Sequence, residues 1–260
     1  MSTCPATASA VRTCNFVLWC ACVVIIGYPV AWVFGTILGL AFMFGLLFGH
    51  IRVYGYSRLV GAAIRGKVII MVNHPNLVEP FVIPALLFPW YWIFPWCFPW
   101  STPDQKLLGE WKMPAWQRIA LRCIIFDRTK IMTSGRAWKK IQTVMRYLRA
   151  IVVFFPEEGR TNGAGNKGRI PLSYGNRMLQ ELRSSALRHA HETGAWVLPI
   201  YLYTENKAET TAFWINFRKA RAAGMVFVVG HRYKPGIPFV LAEQNQILGQ
   251  KILHAGEPSA

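Results

Sequence analysis

From Thr13 to Ile51 the chain carries no charged residue, and Asn15–Gly49 is almost wholly apolar. One membrane-crossing helix needs roughly 20 such residues, so this run is long for one span and short for two. Gly27, Pro29 and Gly35 interrupt it. The pattern predicts two short tilted or re-entrant helices, or one bent helix lying partly in a membrane. Gly35 with Gly39, and Gly45 with Gly49, form small-xxx-small pairs that let another element approach the backbone closely.

Beyond this run the period changes. Val68–Val72, Cys123–Phe126, Ile151–Phe155, Ala195–Tyr203 and Met225–Val229 are short continuous apolar runs, as expected of strands buried on both faces. Arg136–Arg149 and Asn176–His191 place apolar residues at helical spacing. Strands alternating with helices predict an α/β domain, a mixed sheet flanked by helices, behind an N-terminal membrane-embedded helical segment. The expected division is 1–54 anchor, 55–235 catalytic domain and 236–260 C-terminal tail. Phe81–Trp100 stands apart: it holds Pro84, Pro89, Pro95 and Pro99 and three copies of Phe-Pro-Trp, without a charge. Its prolines argue against a regular helix, and its tryptophans suggest an aromatic surface at headgroup level.

Composition sharpens this picture. Charged residues make up 16% of the chain and hydrophobic ones 53%, which excludes a disordered chain and points to lipid contact. The 29 Lys+Arg against 12 Asp+Glu give a net charge of +17. Nucleic acid, anionic lipid or a phosphorylated small molecule all fit that excess. The 11 Trp and 16 Phe favour lipid. No zinc-ligand spacing, aromatic ribonucleoprotein motif or basic recognition helix supports a nucleic-acid partner. Thirteen basic residues against three acids in Lys112–Arg169 suit anionic headgroups, CoA phosphates or an acidic carrier protein. Arg12, Arg52, Arg58, Arg65 and Lys67 flank the apolar run with no acid before Glu79. The positive-inside rule then puts the remainder on the cytoplasmic face of a membrane. A cleaved signal peptide fits poorly, because the run is too long and no A-x-A site follows. The six cysteines contain no CxxC pair and read as packed free thiols.

Candidate chemistry begins where the first of these strands ends, in Asn73-His74-Pro75-Asn76-Leu77-Val78-Glu79-Pro80. Pro75 and Pro80 restrict the residues before them and make a stiff turn leaving a strand. Such a turn lets the Glu79 carboxylate fix one imidazole nitrogen of His74 and leaves the other as a proton acceptor. No nucleophilic Ser or Cys lies beside this pair in sequence, which leaves a substrate as one source of the hydroxyl to be activated. The run Ile151–Phe155 opens into Pro156-Glu157-Glu158-Gly159-Arg160-Thr161, and Cys123–Phe126 into Asp127-Arg128. If these strands are parallel neighbours, His74, Arg128 and Arg160 converge at their carboxyl ends.

These blocks resemble the glycerolipid acyltransferase family that includes 1-acylglycerol-3-phosphate O-acyltransferases. That family carries Asn-His-x-Ser-x-x-Asp, an apolar strand ending in Arg, Phe-Pro-Glu-Gly-Thr-Arg-Ser and a Val-Pro strand. Here they match Asn73–Pro80, Ile124–Arg128, Phe155–Thr161 and Val197–Ile200 around Pro199, in order and across about half the chain. The family's Asp is Glu79, its Ser is Asn76, and Glu158-Gly159 replace its Gly-Thr. An added carboxylate at Glu158 is unfavourable beside a phosphate unless it turns outward.

The resemblance implies that His74 takes the proton of a lysolipid hydroxyl while Glu79 orients it. The hydroxyl oxygen attacks an acyl thioester, from acyl-CoA or acyl carrier protein, as co-substrate. Arg160 and Arg128 would hold the acceptor phosphate, and Glu157 would position Arg160 or the acceptor. Asn73, Asn76, Gly159, Thr161 and Pro199 complete the substrate site. No cofactor or metal is implied; the expected partners are membrane lipids and a lysophospholipid acceptor. The leading product is phosphatidic acid. Alternatives are another lysolipid or glycerol 3-phosphate as acceptor, or a non-enzymatic module binding anionic lipid. A hydrolase lacks support, since there is no Gly-x-Ser-x-Gly elbow.

Overall fold

The computed structural model describes residues 18, 21–47, 50–73, 79–103, 105, 118, 122–126, 131–156, 171–175, 177–180, 182, 186–204 and 224–255. A π-helical turn at Val23–Gly27 leads into helix α1 (Tyr28–Leu47). Then follow β1 (Ile51–Tyr54), α2 (Tyr56–Arg65), β2 (Val68–Val72), α3 (Glu79–Leu86), α4 (Trp90–Ile93) and β3 (Trp100–Ser101). Next come α5 (Ile131–Tyr147), β4 (Ile151–Phe154), the hairpin β5 (Pro171–Tyr174) and β6 (Arg177–Gln180), α6 (Ala186–Thr193), β7 (Trp196–Tyr203), β8 (Met225–Val229) and α7 (Leu241–Leu253).

Six strands form one sheet in the order β1-β8-β7-β2-β4-β3. β2 is parallel to both β4 and β7, and β3 is parallel to β4. β8 runs antiparallel to β7, and β1 follows β8. The sheet is therefore mixed and flanked by helices, as its sequence pattern predicts. All five residues of β2 are buried. Val68, Ile70 and Val72 face one core, and Ile69 and Met71 face the other. This explains the unbroken apolar run: the two-residue period is hidden because both faces are dry. One core is closed by α1, α2, α3 and the aromatic segment, the other by α5, α6 and α7.

Three expectations need correction. Asn176–His191 does not form one helix. Gly175, at φ 56, sits in a tight turn where Tyr174 pairs with Arg177, so Arg177–Gln180 is a strand and the helix begins only at Ala186. The Gly175-Asn176 dipeptide was the hairpin signal in the sequence. Cys123–Phe126 forms isolated bridge contacts rather than a full strand, with Cys123 pairing parallel to Ser101. Phe81–Trp100 includes regular helix despite its prolines, because α3 runs from Glu79 to Leu86. Pro80 lies in the first turn, where N–H groups have no helical partner, so only Pro84 forfeits a bond. The segment is also largely core: Val82, Ile83, Leu86, Tyr91, Phe98 and Trp100 are buried, and among its described side chains the large exposed apolar ones are Trp92 and Ile93.

Among the described residues no helix is long and apolar enough to cross a membrane, so spanning by the N-terminal segment is not supported. Its helix is instead docked on the domain along one stripe. Ala31, Gly35 and Gly39 are buried. A Cβ on Gly35 would collide with the Phe98 ring, and one on Gly39 with the Phe88 ring. The small-residue pair read in the sequence thus receives aromatic side chains. Arg122, 3% exposed, ties down the start of α1. It donates from Nη1 to the Phe98 carbonyl at 3.1 Å, and its guanidinium lies 3.7 Å from the Tyr28 ring centroid. Burial pulls its pKa down to about 10, with Tyr28 partly offsetting that, so the group stays charged at neutral pH.

Gly35→Val should force the buried Phe98 ring aside and cost about 1–3 kcal/mol in urea unfolding. Gly61→Ala, at an α2 position with nothing within 4 Å of an added Cβ, should gain about 0.5–1 kcal/mol. Equal effects at the two glycines would remove the docking role of the stripe.

Candidate active site

Parallel strands deliver their carboxyl ends to one edge. β7, β2, β4 and β3 lie side by side with the same direction. The segment at Cys123–Phe126 lies outside β3 in the same direction, since Cys123 bridges Ser101 in parallel. Its backbone is held by Ile124 N–H to the Ser101 carbonyl at 2.9 Å and Phe126 N–H to the Pro103 carbonyl at 3.0 Å. The chain leaves this single edge toward all three polar blocks: residue 74 after β2, residue 127 after Phe126, and residue 157 after β4.

Asn73 is the best-defined group there. It is 1% exposed. Its Nδ2 donates to the Leu202 carbonyl at 2.9 Å, and its Oδ1 accepts from the Leu202 N–H at 2.6 Å. The last backbone register pair between these strands is Val72 with Ile200. The Asn73 amide therefore acts as one more rung of the β2–β7 ladder, made by a side chain. Its amide is committed to the sheet, which makes Asn73 a residue that positions the chain entering His74. Sequence reasoning grouped it with substrate contacts; the tether is not visible without Leu202, 129 positions later.

On the other side of β2, three aromatic rings fasten the neighbouring exits. Phe126 and Phe154 rings lie 6.0 Å apart, and Trp138 of α5 meets them at 4.9 and 5.2 Å. Phe126 is two residues before Arg128 and Phe154 three before Glu157, so this cluster keeps the two exits together. Thr102, which no sequence pattern marked, donates to the Val153 carbonyl at 2.8 Å and pins β3 to β4. A two-residue strand leaves no periodic signal.

The predicted residues divide plainly. His74 and Asn76 lie outside the described residues, as do Arg128, Glu157, Gly159, Arg160 and Thr161. Glu79 is the first residue of α3, with its side chain also outside them. The parallel arrangement that convergence of His74, Arg128 and Arg160 required is present. β2 and β4 are direct neighbours, whereas the Phe126 segment lies three strand positions from β2, about 14 Å at the usual spacing. Pro199 is not at this edge. It sits inside β7 opposite Met71, against Gly230. Its carbonyl accepts from Gly230 N–H at 2.9 Å, and the next contact on that side is Val197 with Tyr233. The missing N–H of the proline falls where that ladder is interrupted, which is how a central strand tolerates it.

Two described thiols are unsuited to nucleophilic work. Burial pushes both Cys97 and Cys123 up to about 12, with Arg118 only partly offsetting this at Cys123. Both stay protonated near neutral pH, in keeping with small packing groups.

A family model described as Acyltransferase matches residues 50–203. Among solved structures, the 1-acyl-sn-glycerophosphate (LPA) acyltransferase PlsC from Thermotoga maritima is similar, with a TM-score of 0.55 at 15% identity, covering 87% of this chain and 77% of that one. At that identity the likeness speaks for the fold. No curated protein sequence matches. The family match runs from β1 to the end of β7 and includes every strand that builds the polar edge, so the chain belongs to the acyltransferase family and is an acyltransferase.

Proposed function

We propose that this acyltransferase moves a fatty acyl group from a thioester, acyl-CoA or acyl carrier protein, to the free hydroxyl of a lysophospholipid at a membrane surface. The leading acceptor is 1-acylglycerol 3-phosphate, giving phosphatidic acid. The observation that carries the reading is the tether of Asn73 to Leu202 within a family-matched region. It fixes the exit of the central strand immediately before His74, and α3 starts at Glu79 after a short connection.

In this reading His74 takes the hydroxyl proton while Glu79 holds the other imidazole nitrogen and stabilises the imidazolium. The hydroxyl oxygen attacks the thioester carbonyl. As the tetrahedral centre collapses, the C–S bond breaks and the thiolate receives the proton from His74. Arg160, with Arg128, neutralises the acceptor phosphate, while Glu157 aligns Arg160. Asn76, Gly159 and Thr161 serve as further substrate contacts in the same reading. The thioester supplies the driving force, so the reaction calls for no resident cofactor.

Attachment rather than spanning suits the described surface. The outward side of α1 shows Trp32, Val33, Ile37, Leu40 and Phe44. Trp92 continues it, its ring tilted against Trp32 at 5.1 Å and its Nε1 donating to Thr36 Oγ1 at 2.9 Å. An apolar helix face edged by tryptophan is suited to lie in the interface, leaving the catalytic edge at the lipid boundary. The basic flanks favour the cytoplasmic face.

The test offers purified protein labelled acyl-CoA and acyl carrier protein thioester with a panel of detergent-dispersed lysolipids and glycerol 3-phosphate. Phosphatidic acid is the expected product. His74→Ala should lower kcat/KM by about 10²–10⁴-fold, and Arg160→Ala should act mainly on the KM of phosphorylated acceptors. Full activity in the His74 variant would exclude the mechanism, and a different acylated product would reassign the acceptor.

Asn73→Ala should strand the buried N–H and C=O of Leu202. Stability should fall by about 2 kcal/mol, and kcat should fall more than KM rises. A stable variant with altered KM alone would make Asn73 a substrate contact instead.

A further inference from the structure

The opposite edge of the sheet, where the parallel strands begin, gathers cations. Arg65 ends α2, Lys67 precedes β2, and Arg149 precedes β4. Arg232 and Lys234 flank Tyr233, which pairs with Val197 of β7. Direct contacts join them. Lys67 N–H bonds the Arg149 carbonyl at 2.8 Å, and Trp196 N–H bonds the Lys67 carbonyl at 3.1 Å. Arg149 Nη2 donates to the Arg65 carbonyl at 2.7 Å. Arg232 and Lys234 lie 4.5 and 5.2 Å from the Trp196 ring centroid, and Arg149 lies 5.9 Å from that of Trp96.

None of these five cations has a carboxylate partner among the described residues. Arg232 Nη1 is buried without a hydrogen-bond partner. Loss of solvent, then the charge of Arg65, pulls the Arg232 pKa down. Like charges held together raise the free energy of the empty site, and a bound anion removes that penalty. Phosphate oxygens suit it, because they accept from several guanidinium and ammonium groups together. The acceptor phosphate of the catalytic reading cannot serve here: five strand residues, about 17 Å, separate the two edges.

We propose that Arg65, Lys67, Arg149, Arg232 and Lys234 form a second phosphate-binding site, which takes the headgroup phosphates of anionic membrane lipids. Continuity favours a headgroup over a free phosphate. Trp96, whose Nε1 bonds the Ile64 carbonyl at 3.0 Å, packs against the Phe94 ring at 5.3 Å. Phe94 is preceded in the chain by the exposed Trp92 and Ile93, and Trp92 lies against α1 at Trp32 and Thr36. Cations at this end and apolar side chains beside them match the headgroup and acyl levels of one leaflet. The inference rests on the membrane-attachment part of the reading above and on none of its chemistry.

The test measures binding of the full chain to phosphatidylcholine vesicles with and without phosphatidylglycerol at low salt. Lys67→Gln/Arg232→Gln/Lys234→Gln should weaken binding to the anionic vesicles about 100-fold, at roughly a factor of five per charge, and leave binding to the neutral ones unchanged. Arg136→Gln/Lys139→Gln/Arg188→Gln removes equal charge from helices on the other face of the sheet and should weaken anionic binding by far less, under about fivefold in total, with neutral binding unchanged. Lys234→Glu alone, at an exposed position with no side-chain hydrogen bond to the described residues, guards against misfolding of the triple variant and should cost at least about fivefold. Equal losses in the two triple variants would reduce the effect to net charge and overturn the site. Wild-type protection from heating by pyrophosphate, absent in the Lys67/Arg232/Lys234 variant and accompanied by unchanged vesicle affinity, would overturn the headgroup assignment in favour of a soluble ligand. Acyl transfer in detergent by wild-type protein reports separately on the catalytic reading.

Discussion

β2 can occupy the middle of this sheet because both of its backbone ladders are satisfied, and one of them is extended by the Asn73 amide onto Leu202. A central strand normally frays where its partners end, since its last N–H and C=O groups then turn to water. Here the polar end is sealed by two hydrogen bonds to a residue 1% exposed. The chain is thus held up to the residue before His74, and the direction in which it leaves is set by a buried constraint rather than by the loop. Everything proposed for the catalytic edge depends on that exit, because a general base acts only from a defined position.

The remaining exits are held by several means together. β3 is fastened to β4 by the Thr102 hydroxyl. The Phe126 segment is held to the β3 side by backbone hydrogen bonds to Ser101 and Pro103 and to β4 by aromatic packing around Trp138. The exit of β2 rests instead on a buried side-chain amide, so its direction depends on one residue where the outer exits depend on several contacts.

Much of the sheet was legible in the chain. Val68–Val72 and Met225–Val229 were readable to the residue because strands dry on both faces leave unbroken apolar runs. β1 was not, because Ile51-Arg52-Val53-Tyr54 alternates at an edge and merges with the apolar run before it. The hairpin at Pro171–Gln180 was hidden by apolar positions that also fit a helical period; only Gly175-Asn176 distinguishes the two. For the site, the polar blocks were visible by residue type. The sheet neighbours that orient them were not, because Asn73 with Leu202 and Thr102 with Val153 are long-range pairs. For Pro199 the motif gave a residue type but not its place: it is a strand residue set where the ladder breaks.

The two edges of the sheet also differ in how their turns are built. Among the described residues, the positive-φ positions that are not glycine are Lys67, Arg122 and Arg149, at 57°, 47° and 50°. All three are basic, and each stands just before the chain joins the parallel strands. Glycine would adopt this conformation without the roughly 1–2 kcal/mol that an L side chain costs, and Gly66 beside Lys67 does so at φ 65. A fold selected only for stability would carry glycine or asparagine at such turns. Strained cations are better explained by what their charges do. Arg122 spends its charge inside the protein, on the Phe98 carbonyl and the Tyr28 ring, and so fixes α1 to the domain. Arg149 bonds the Arg65 carbonyl and lies over the Trp96 ring, but unlike Arg122 it stays at the surface. Lys67 lies beside it, with Arg232 and Lys234 on the neighbouring segment. Strain and mutual repulsion therefore coincide at the edge farthest from the proposed chemistry, and these internal contacts do not neutralise the charges gathered there. An anion held outside the protein supplies that reason.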